Sequence, residues 1–396
     1  MSFSGTNLEN ARLHNRRVVL ESIRQHTRLS RADITRLTGL TPQTISNITS
    51  ELLAQGFLST LPAESGGRGQ PAVPFVINPQ GAYSVGVQLS QHSLQAVAVD
   101  LCGAVVARAH AAVDRVRPAQ AVAPLKDVLQ RLQQLAGFPM AKLLGMGVAT
   151  PGPFGVDGLS AIGPTTLPGW QDLSVGEQLS AALGLPVMVA NDASAAAIGE
   201  RLYGAGSTLS NFVYMFVGEG LGAGLFLNGQ VFDGVANNAG ELGHIVVERN
   251  GRACYCGNHG CLERYLSLWA AYEALGFEDP TQATPEDLLH AMERNDPRLA
   301  AWLDEAATYM RQAINMLECM LDIETIIVGG LLPVPILEKI IARLAPLYAS
   351  VGNRSNRKVA RLLVGNVGSE ITAQGAAALP IFHEMNPSFN VLLKNH

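Results

Sequence analysis

The stretch GELGHIVVERNGRACYCGNHGCLE, from Gly240 to Glu263, places His244 and the three cysteines Cys254, Cys256 and Cys261 within eighteen positions. Four nitrogen and sulfur donors are the full complement of a closed tetrahedral zinc site. Gly257 and Gly260 let the backbone turn tightly enough to aim the thiolates inward. The spacing is not that of a zinc finger, and three thiolates with no open position point to a structural rather than a catalytic ion. The alternatives are ordinary buried cysteines or a disulfide loop. Against them, three of the chain's five cysteines gather here beside a histidine, and nothing else in the sequence suggests an oxidising compartment. His259 is the weaker ligand candidate because it sits at the turn beside Gly260.

The same stretch carries two carboxylates. Glu241 lies three residues before His244 and Glu263 two after Cys261, so an ion that fixes the loop also fixes two acceptors suited to sugar hydroxyls. Standing alone, they would read as solvated surface glutamates.

The pairing of Gly-Glu-Leu-Gly-His with Cys-x-Cys-Gly-x-x-Gly-Cys-x-Glu resembles the signature of the ROK family (repressors, open reading frames and kinases), without insertion or gap. The resemblance implies an α/β actin-like, sugar-kinase (ribonuclease H-like) body of two lobes with a cleft between them, and a sugar site beside a structural zinc. It leaves open whether the sugar is phosphorylated or sensed.

Bulk properties narrow the class. At 396 residues, with 47% apolar and 15% charged residues, the chain is globular and long enough for several domains. Its net charge of −5 excludes a uniformly basic protein, but the charge is uneven. Residues 1–70 hold eight arginines against five acids, a balance of +3 that leaves −8 on the remainder. A basic head on an acidic body fits a nucleic-acid contact confined to one end. The N-terminus lacks a signal-peptide core and no run of about eighteen apolar residues occurs, so the chain reads as cytoplasmic, without membrane insertion. Cys102 and Cys319 read as buried small hydrophobes.

The head is expected to be a winged helix-turn-helix. Val18, Val19 and Ile23 mark an amphipathic helix from Asn15 to Gln25. Ser30 and Asp33 form a capping box before a short helix whose inner face is Ile34 and Leu37, and Gly39 ends it. Thr41-Pro42 then starts a third helix with inner residues Ile45 and Ile48. In this motif the second helix of the pair enters the major groove. The exposed candidates for double-stranded operator DNA are Pro42, Gln43, Thr44, Ser46 and Asn47, with Gln43 and Asn47 able to pair with adenine. The alternative is a dimerisation module with a solvated polar face. Phe57 to Leu61 and Val73 to Ile77 read as wing strands around a glycine-rich tip, from which Arg68 could reach a minor groove.

Beyond Gly81 strands alternate with helices, the pattern of an α/β body. The expected division is a DNA-binding head at 1–80, a first lobe at 81–190 and a second at 191–396, with the last helix returning to the first lobe. Asn191 and Asp192 follow a strand, where α/β sheets bind ligands. The resemblance makes them sugar contacts, with Asp192 at the position of the kinases' base. Read alone, Asp192 could equally cap the next helix. By the same resemblance Thr166 stands where the kinases offer an asparagine to the sugar.

Sugar kinases of this fold carry Asp-x-Gly-Gly-Thr at the first turn of the body. This chain has Gln88-Leu89-Ser90-Gln91-His92, and Gln91 with His92 is expected to obstruct a phosphate. Gly218-Glu219-Gly220 resembles the second phosphate turn, with Glu219 bringing negative charge towards a nucleotide. The expectation is therefore a sugar-responsive repressor that holds zinc, binds no ATP, takes a monosaccharide effector through Thr166, Asn191, Asp192, Glu241, His244 and Glu263, and forms a homodimer or tetramer. The alternatives are a sugar kinase with a DNA-binding head, or a regulator controlled by a protein partner.

Overall fold

A computed structural model of the chain describes residues 8–63, 73–154, 166–367 and 370–387. The head begins with helix α1 (Leu8–His26), which starts about two turns before the apolar pattern does. Its Val19, Leu20 and Ile23 are buried. Helix α2 (Arg31–Thr38) has the full capping box of Ser30 and Asp33, and Gly39 ends it at φ 70°. Helix α3 (Pro42–Ala54) is capped by Thr41 with proline in its first turn. Strands β1 (Leu58–Thr60) and β2 (Phe75–Ile77) pair antiparallel beside them. Leu37 departs from expectation: it is 48% exposed, because Ile34 alone fills the narrow space under so short a helix. Arg68 and the wing tip lie outside the described residues.

The body holds two five-stranded sheets of the same plan. The first joins β3 (Tyr83–Leu89), β4 (Ser93–Asp100), β5 (Val105–Ala112), β6 (Leu143–Thr150) and β7 (Val187–Asn191) in the order β5-β4-β3-β6-β7. The second joins β8 (Phe212–Val217), β9 (Leu221–Leu227), β10 (Gln230–Val231), β11 (Thr325–Gly330) and β12 (Leu362–Val367) in the order β10-β9-β8-β11-β12. Each sheet is an antiparallel three-strand meander continued by two parallel strands. The apolar runs of β8 and β11 are buried along their whole length, as strands covered on both faces must be.

Helices α4 (Pro118–Ala136) and α5 (Val175–Leu183) pack on the first sheet, and α7 (Leu268–Leu275), α8 (Pro285–Glu293) and α10 (Val334–Ala342) belong to the core of the second. Two further helices sit between the sheets. Helix α6 (Asp192–Tyr203) follows β7, and α11 (Ile371–Met385) packs on α6, β3 and β6. They cross so closely that a Cβ on Gly375 would lie 2.5 Å from the Ala195 carbonyl oxygen, and one on Gly199 would lie 3.1 Å from the Gly375 Cα. Small residues are what allow the two backbones to touch, and they make the pair a single packed unit. Helix α9 (Pro297–Leu321) buries Trp302, Met310 and Ile314 against the outer face of the second sheet.

The cysteine expectation outside the loop fails. Cys102 is exposed in the turn after β4, where its amide bonds to Asp100 Oδ1, and Cys319 is exposed on α9 next to the buried Glu318. The inward position is taken by Leu101 in the turn and by Glu318, bonded to Arg361, on α9. No helix among the described residues is long and apolar enough to cross a membrane.

Candidate functional site

The Gly240–Glu263 stretch folds back on itself. Val247 N donates to Gly260 O at 2.9 Å and Leu262 N to Ile245 O at 2.9 Å, which brings His244 against the cysteine arm. Gly260 at φ 76° admits no side chain, since a Cβ would lie 1.7 Å from the Glu248 carbonyl oxygen. The result is a cluster of four donor atoms from His244, Cys254, Cys256 and Cys261, all within 4.8 Å of one another. His244 Nδ1 is 3.7 Å from Cys254 Sγ, and Cys256 Sγ is 3.6 Å from Cys261 Sγ. The cysteines are free, and these separations are the edges of a tetrahedron with bonds of about 2.3 Å rather than a disulfide of about 2.05 Å. The donor set therefore fits a metal ion. His259 is exposed and outside the cluster.

The metal loop forms one wall of a cleft. Asn191, Asp192, Glu241, His244 and Glu263 all line it, together with Gly152, Glu219 and Tyr255. The side chains are held from several elements. Glu263 Oε2 accepts from Leu221 N at 3.0 Å, which ties the loop to β9. Gly152 lies so near Asn191 and Glu241 that a Cβ there would come within 2.8 Å of the amide nitrogen and 3.2 Å of the carboxylate. Any larger residue would intrude on both. Thr166 is not among the lining residues; the ten residues before it, with Gly155, lie in the segment 155–165, outside the described residues.

Asp192 is the most distinctive group. The helix cap expected of it belongs to Asn191, whose Oδ1 accepts from Ala193 N at 2.8 Å. Helix α6 starts one residue earlier than its apolar pattern suggests, so Asp192 falls in the first turn. Its Oδ1 is buried without a hydrogen-bond partner. Burial, with the nearby charge of Glu219, pushes its carboxyl up to about 7. Burial also raises Glu241 to about 7, with Glu263 adding to the shift. A wall of buried acceptors short of donors is what a polyhydroxyl ligand satisfies.

The two meander turns also border the cleft, the second of them against Glu263. Ser90 N donates to Ser93 O and Gly218 N to Gly220 O, each at 2.9 Å, so the turns occupy equivalent places in the two sheets. Gln88, Leu89 and Ser90 line the cleft. Gln91 and His92 are not among the residues that line it: Gln91 accepts from Arg115, and the exposed His92 faces Asp114 at 3.4 Å. Burial raises the Glu219 carboxyl, and His92 opposes that shift.

The head is fastened to the body at the far end of α6. Glu21 of α1 accepts from Arg201 at 2.7 Å and from Arg24 at 2.7 and 2.9 Å, with all three side chains largely buried. Burial alone would raise the Glu21 carboxyl, but the bonds and charges of Arg24 and Arg201 bring it below its ordinary value. Arg24 also donates to the Leu202 carbonyl at 2.7 Å, and Arg16 pairs with Glu384 of α11. In α3, Gln43 and Asn47 are exposed and bonded to each other at 2.9 Å, while Pro42 is exposed and Thr44 and Ser46 are half-buried.

A two-lobed body of repeated sheets, a metal loop beside an acceptor-lined cleft and a helical head define a sugar-kinase-type scaffold joined to a DNA-binding module. The model of the ROK family matches residues 84–381, and the chain belongs to that family. It is 27% identical over 289 residues to the xylose repressor of Bacillus subtilis (strain 168), covering 71% of this chain and 73% of that one. A glucokinase of Halalkalibacterium halodurans is 32% identical over 223 residues, 52% of this chain and 67% of the enzyme. A solved ROK family transcriptional regulator, a homolog of the E. coli MLC protein, superposes with a TM-score of 0.75 at 25% identity, over 97% of this chain and 99% of that one.

Tyr255 and the head-to-body fastening were not foreseen from the sequence. The spacing of Cys254 and Cys256 was the available signal for the first, since it pins the residue between them. For the second there was none, because Glu21 and Arg201 are 180 positions apart.

Proposed function

We propose that the chain is a sugar-responsive transcriptional repressor of carbohydrate uptake or catabolism genes, in which a monosaccharide in the cleft alters the affinity of the winged head for operator DNA. One observation carries this reading. Helix α6 has the buried, unpartnered Oδ1 of Asp192 in its first turn and the Arg201 fastening to the head in its last. A sugar hydroxyl that engages Asp192 acts on the same rigid element that holds α1.

The proposed division is the head at 1–80, the first lobe at 81–190 and the second at 191–396. Within the cleft Asn191, Asp192, Glu241, His244 and Glu263 would receive the sugar, with Thr166 at its edge. Pro42, Gln43, Thr44, Ser46, Asn47 and Arg68 would meet DNA as a homodimer engages paired half-sites. The cluster of His244, Cys254, Cys256 and Cys261 suits zinc, which would cross-link the loop; the residues themselves hold Glu241 and Glu263 in position. Xylose-repressor relatives make D-xylose the first effector to try.

The test is operator affinity, read by fluorescence anisotropy on genomic fragments selected by the protein itself. D-xylose or D-glucose should weaken binding by about 5- to 150-fold, the range of ordinary allosteric coupling. Operator affinity that no sugar changes would sink the reading. Cys256→Ser should lose the metal and weaken both sugar and operator binding.

A second reading, a sugar kinase with a DNA-binding head, is favoured by Asp192, since a carboxyl near 7 is tuned for proton abstraction. Against it stand Gln88-Leu89-Ser90 in place of a phosphate turn and the acidic Glu219 at the other. ADP release with any hexose or pentose would bring the kinase reading forward.

A further inference from the structure

A second cavity, of about 750 Å³, lies between the head and the body. That is the size of a small-molecule site. Three helices each turn one face to it at helical spacing: Leu13 and Arg17 of α1, Ser194 and Ile198 of α6, and Leu379 and His383 of α11. The walls are apolar where Leu13 and Leu173 stand, 42% and 56% exposed, and Arg17 is the only arginine or lysine among the described residues that line them. Arg17 is half-buried and makes no hydrogen bond or ion pair among the described residues. Glu384, the carboxylate whose charge supports it, is already paired with Arg16. A cation taken partly out of water without a partner is a group that an anion satisfies. Two acids border the same cavity in different states. Asp172 Oδ1 accepts from Ser174 N and Oγ, both at 2.8 Å, and so is committed to its own turn. Asp233, whose carboxyl burial raises, has no hydrogen-bond partner among the described residues and is left to accept from a hydroxyl.

We propose that this cavity is a second effector site, which takes a hydroxylated organic anion of the size of a sugar phosphate, with its charge on Arg17 and its hydroxyls towards Asp233. The chemistry is opposite in sign to that of the cleft. Asp192, Glu219, Glu241 and Glu263 line the cleft, and no arginine or lysine does among the described residues, so the cleft repels anions while the cavity collects them. The two ligands therefore do not compete. They are coupled all the same, because Asn191 and Asn237 line both spaces and form a common wall. A ligand in the cavity touches α1, α6 and α11 at once, so its binding favours the head in the position it holds here, and operator affinity follows through the same helices.

The experiment is calorimetry on the full-length protein with D-glucose 6-phosphate, D-gluconate and inorganic phosphate at millimolar concentration. At least one of the two organic anions should bind, and the pair distinguishes a phosphate head from a carboxylate. Inorganic phosphate, which lacks the hydroxylated body, should bind about tenfold more weakly or not at all. Arg17→Gln should keep the melting temperature of the wild type while weakening the organic anion about 10- to 100-fold, the loss of a charge-assisted contact. Leu173→Trp, at an exposed position of the body, should weaken it by filling the space, and tests the cavity without touching the head. Asp192→Asn should bind the anion as the wild type does. Absence of binding by both organic anions, or undiminished binding in either Arg17→Gln or Leu173→Trp, would overturn the proposal. So would loss of binding in Asp192→Asn, which places the anion in the cleft, or inorganic phosphate bound as tightly as the organic anions, which reduces the cavity to a nonspecific charge contact.

Discussion

The two ends of helix α6 carry similar chemistry in opposite states of satisfaction. At the first turn Asp192 is half-buried, its Oδ1 is out of solvent with no partner, and its carboxyl is held near 7. At the last turn Glu200 accepts from the amides of Ala205 at 2.8 Å and Asn366 at 2.6 Å, while Arg201 donates to Glu21 at 2.7 Å and to the Ser207 carbonyl at 2.8 Å, leaving only its Nε without a partner. Burial is common to both. A buried polar group with its partners in place is structure, whereas one without them is poised for something absent from the folded chain alone. The comparison separates the residues that hold the helix from those that respond.

The largest expected effect lies at the satisfied end. Arg201→Met strips Glu21 of one of its two cations inside the head-to-body contact, and breaking a buried pair of this kind costs about 3 kcal/mol. The urea midpoint should fall accordingly. At the other end the sign reverses: Asp192→Asn should leave stability unchanged or higher, because it removes a buried unpartnered carboxyl, yet it should weaken sugar binding about 10- to 100-fold. Sugar affinity unchanged in that variant would remove Asp192 from the site.

The pH dependence sharpens the same contrast. The folded carboxyl of Asp192 stands near 7, above its ordinary 3.8, so the folded state retains a proton that the unfolded chain releases. Its contribution to stability is fully present below about pH 4 and is lost as pH rises through 7. Sugar binding, which uses the carboxylate, should move the other way and strengthen about tenfold from pH 6 to pH 8. Calorimetry across that range should show the slope in the wild type and a shallower one in Asp192→Asn, where Glu241, also held near 7, still titrates. Smallest is the cap itself. Asn191→Ala should cost about 1 kcal/mol in thermal or urea unfolding, and Asn191→Asp, which keeps the acceptor, should restore it.

Much of this arrangement was legible along the chain because its signals are local. The capping box of Ser30 and Asp33, the turn at Gly39 and the cluster of His244 with three cysteines each lie within one short segment. The strands β11 and β12 are hard to place from sequence, since brief apolar runs between helices carry no period of their own and acquire strand character only when β11 pairs with β8 and β12 with β11. The role of Asn191 as cap, in place of Asp192, depended on where α6 begins, and helix boundaries shift by a residue with tertiary contacts. Leu37 and the two outlying cysteines were misjudged for a related reason: apolar character says what can be buried, and neighbours decide what is. The bond from Glu21 to Arg201 joins segments that no local pattern relates.

Helix α1 meets the body through the polar contacts of Arg16, Glu21 and Arg24 and through the buried cluster that its Val19, Leu20 and Ile23 share with Ile198, Leu202 and Leu379, so the specification for docking a head is concentrated on one helix. A winged helix reading a different operator, given that helix, could be exchanged for the native one while the body kept its ligand. Lineages that shuffle such heads would acquire new target genes without having to evolve new chemistry for the signal.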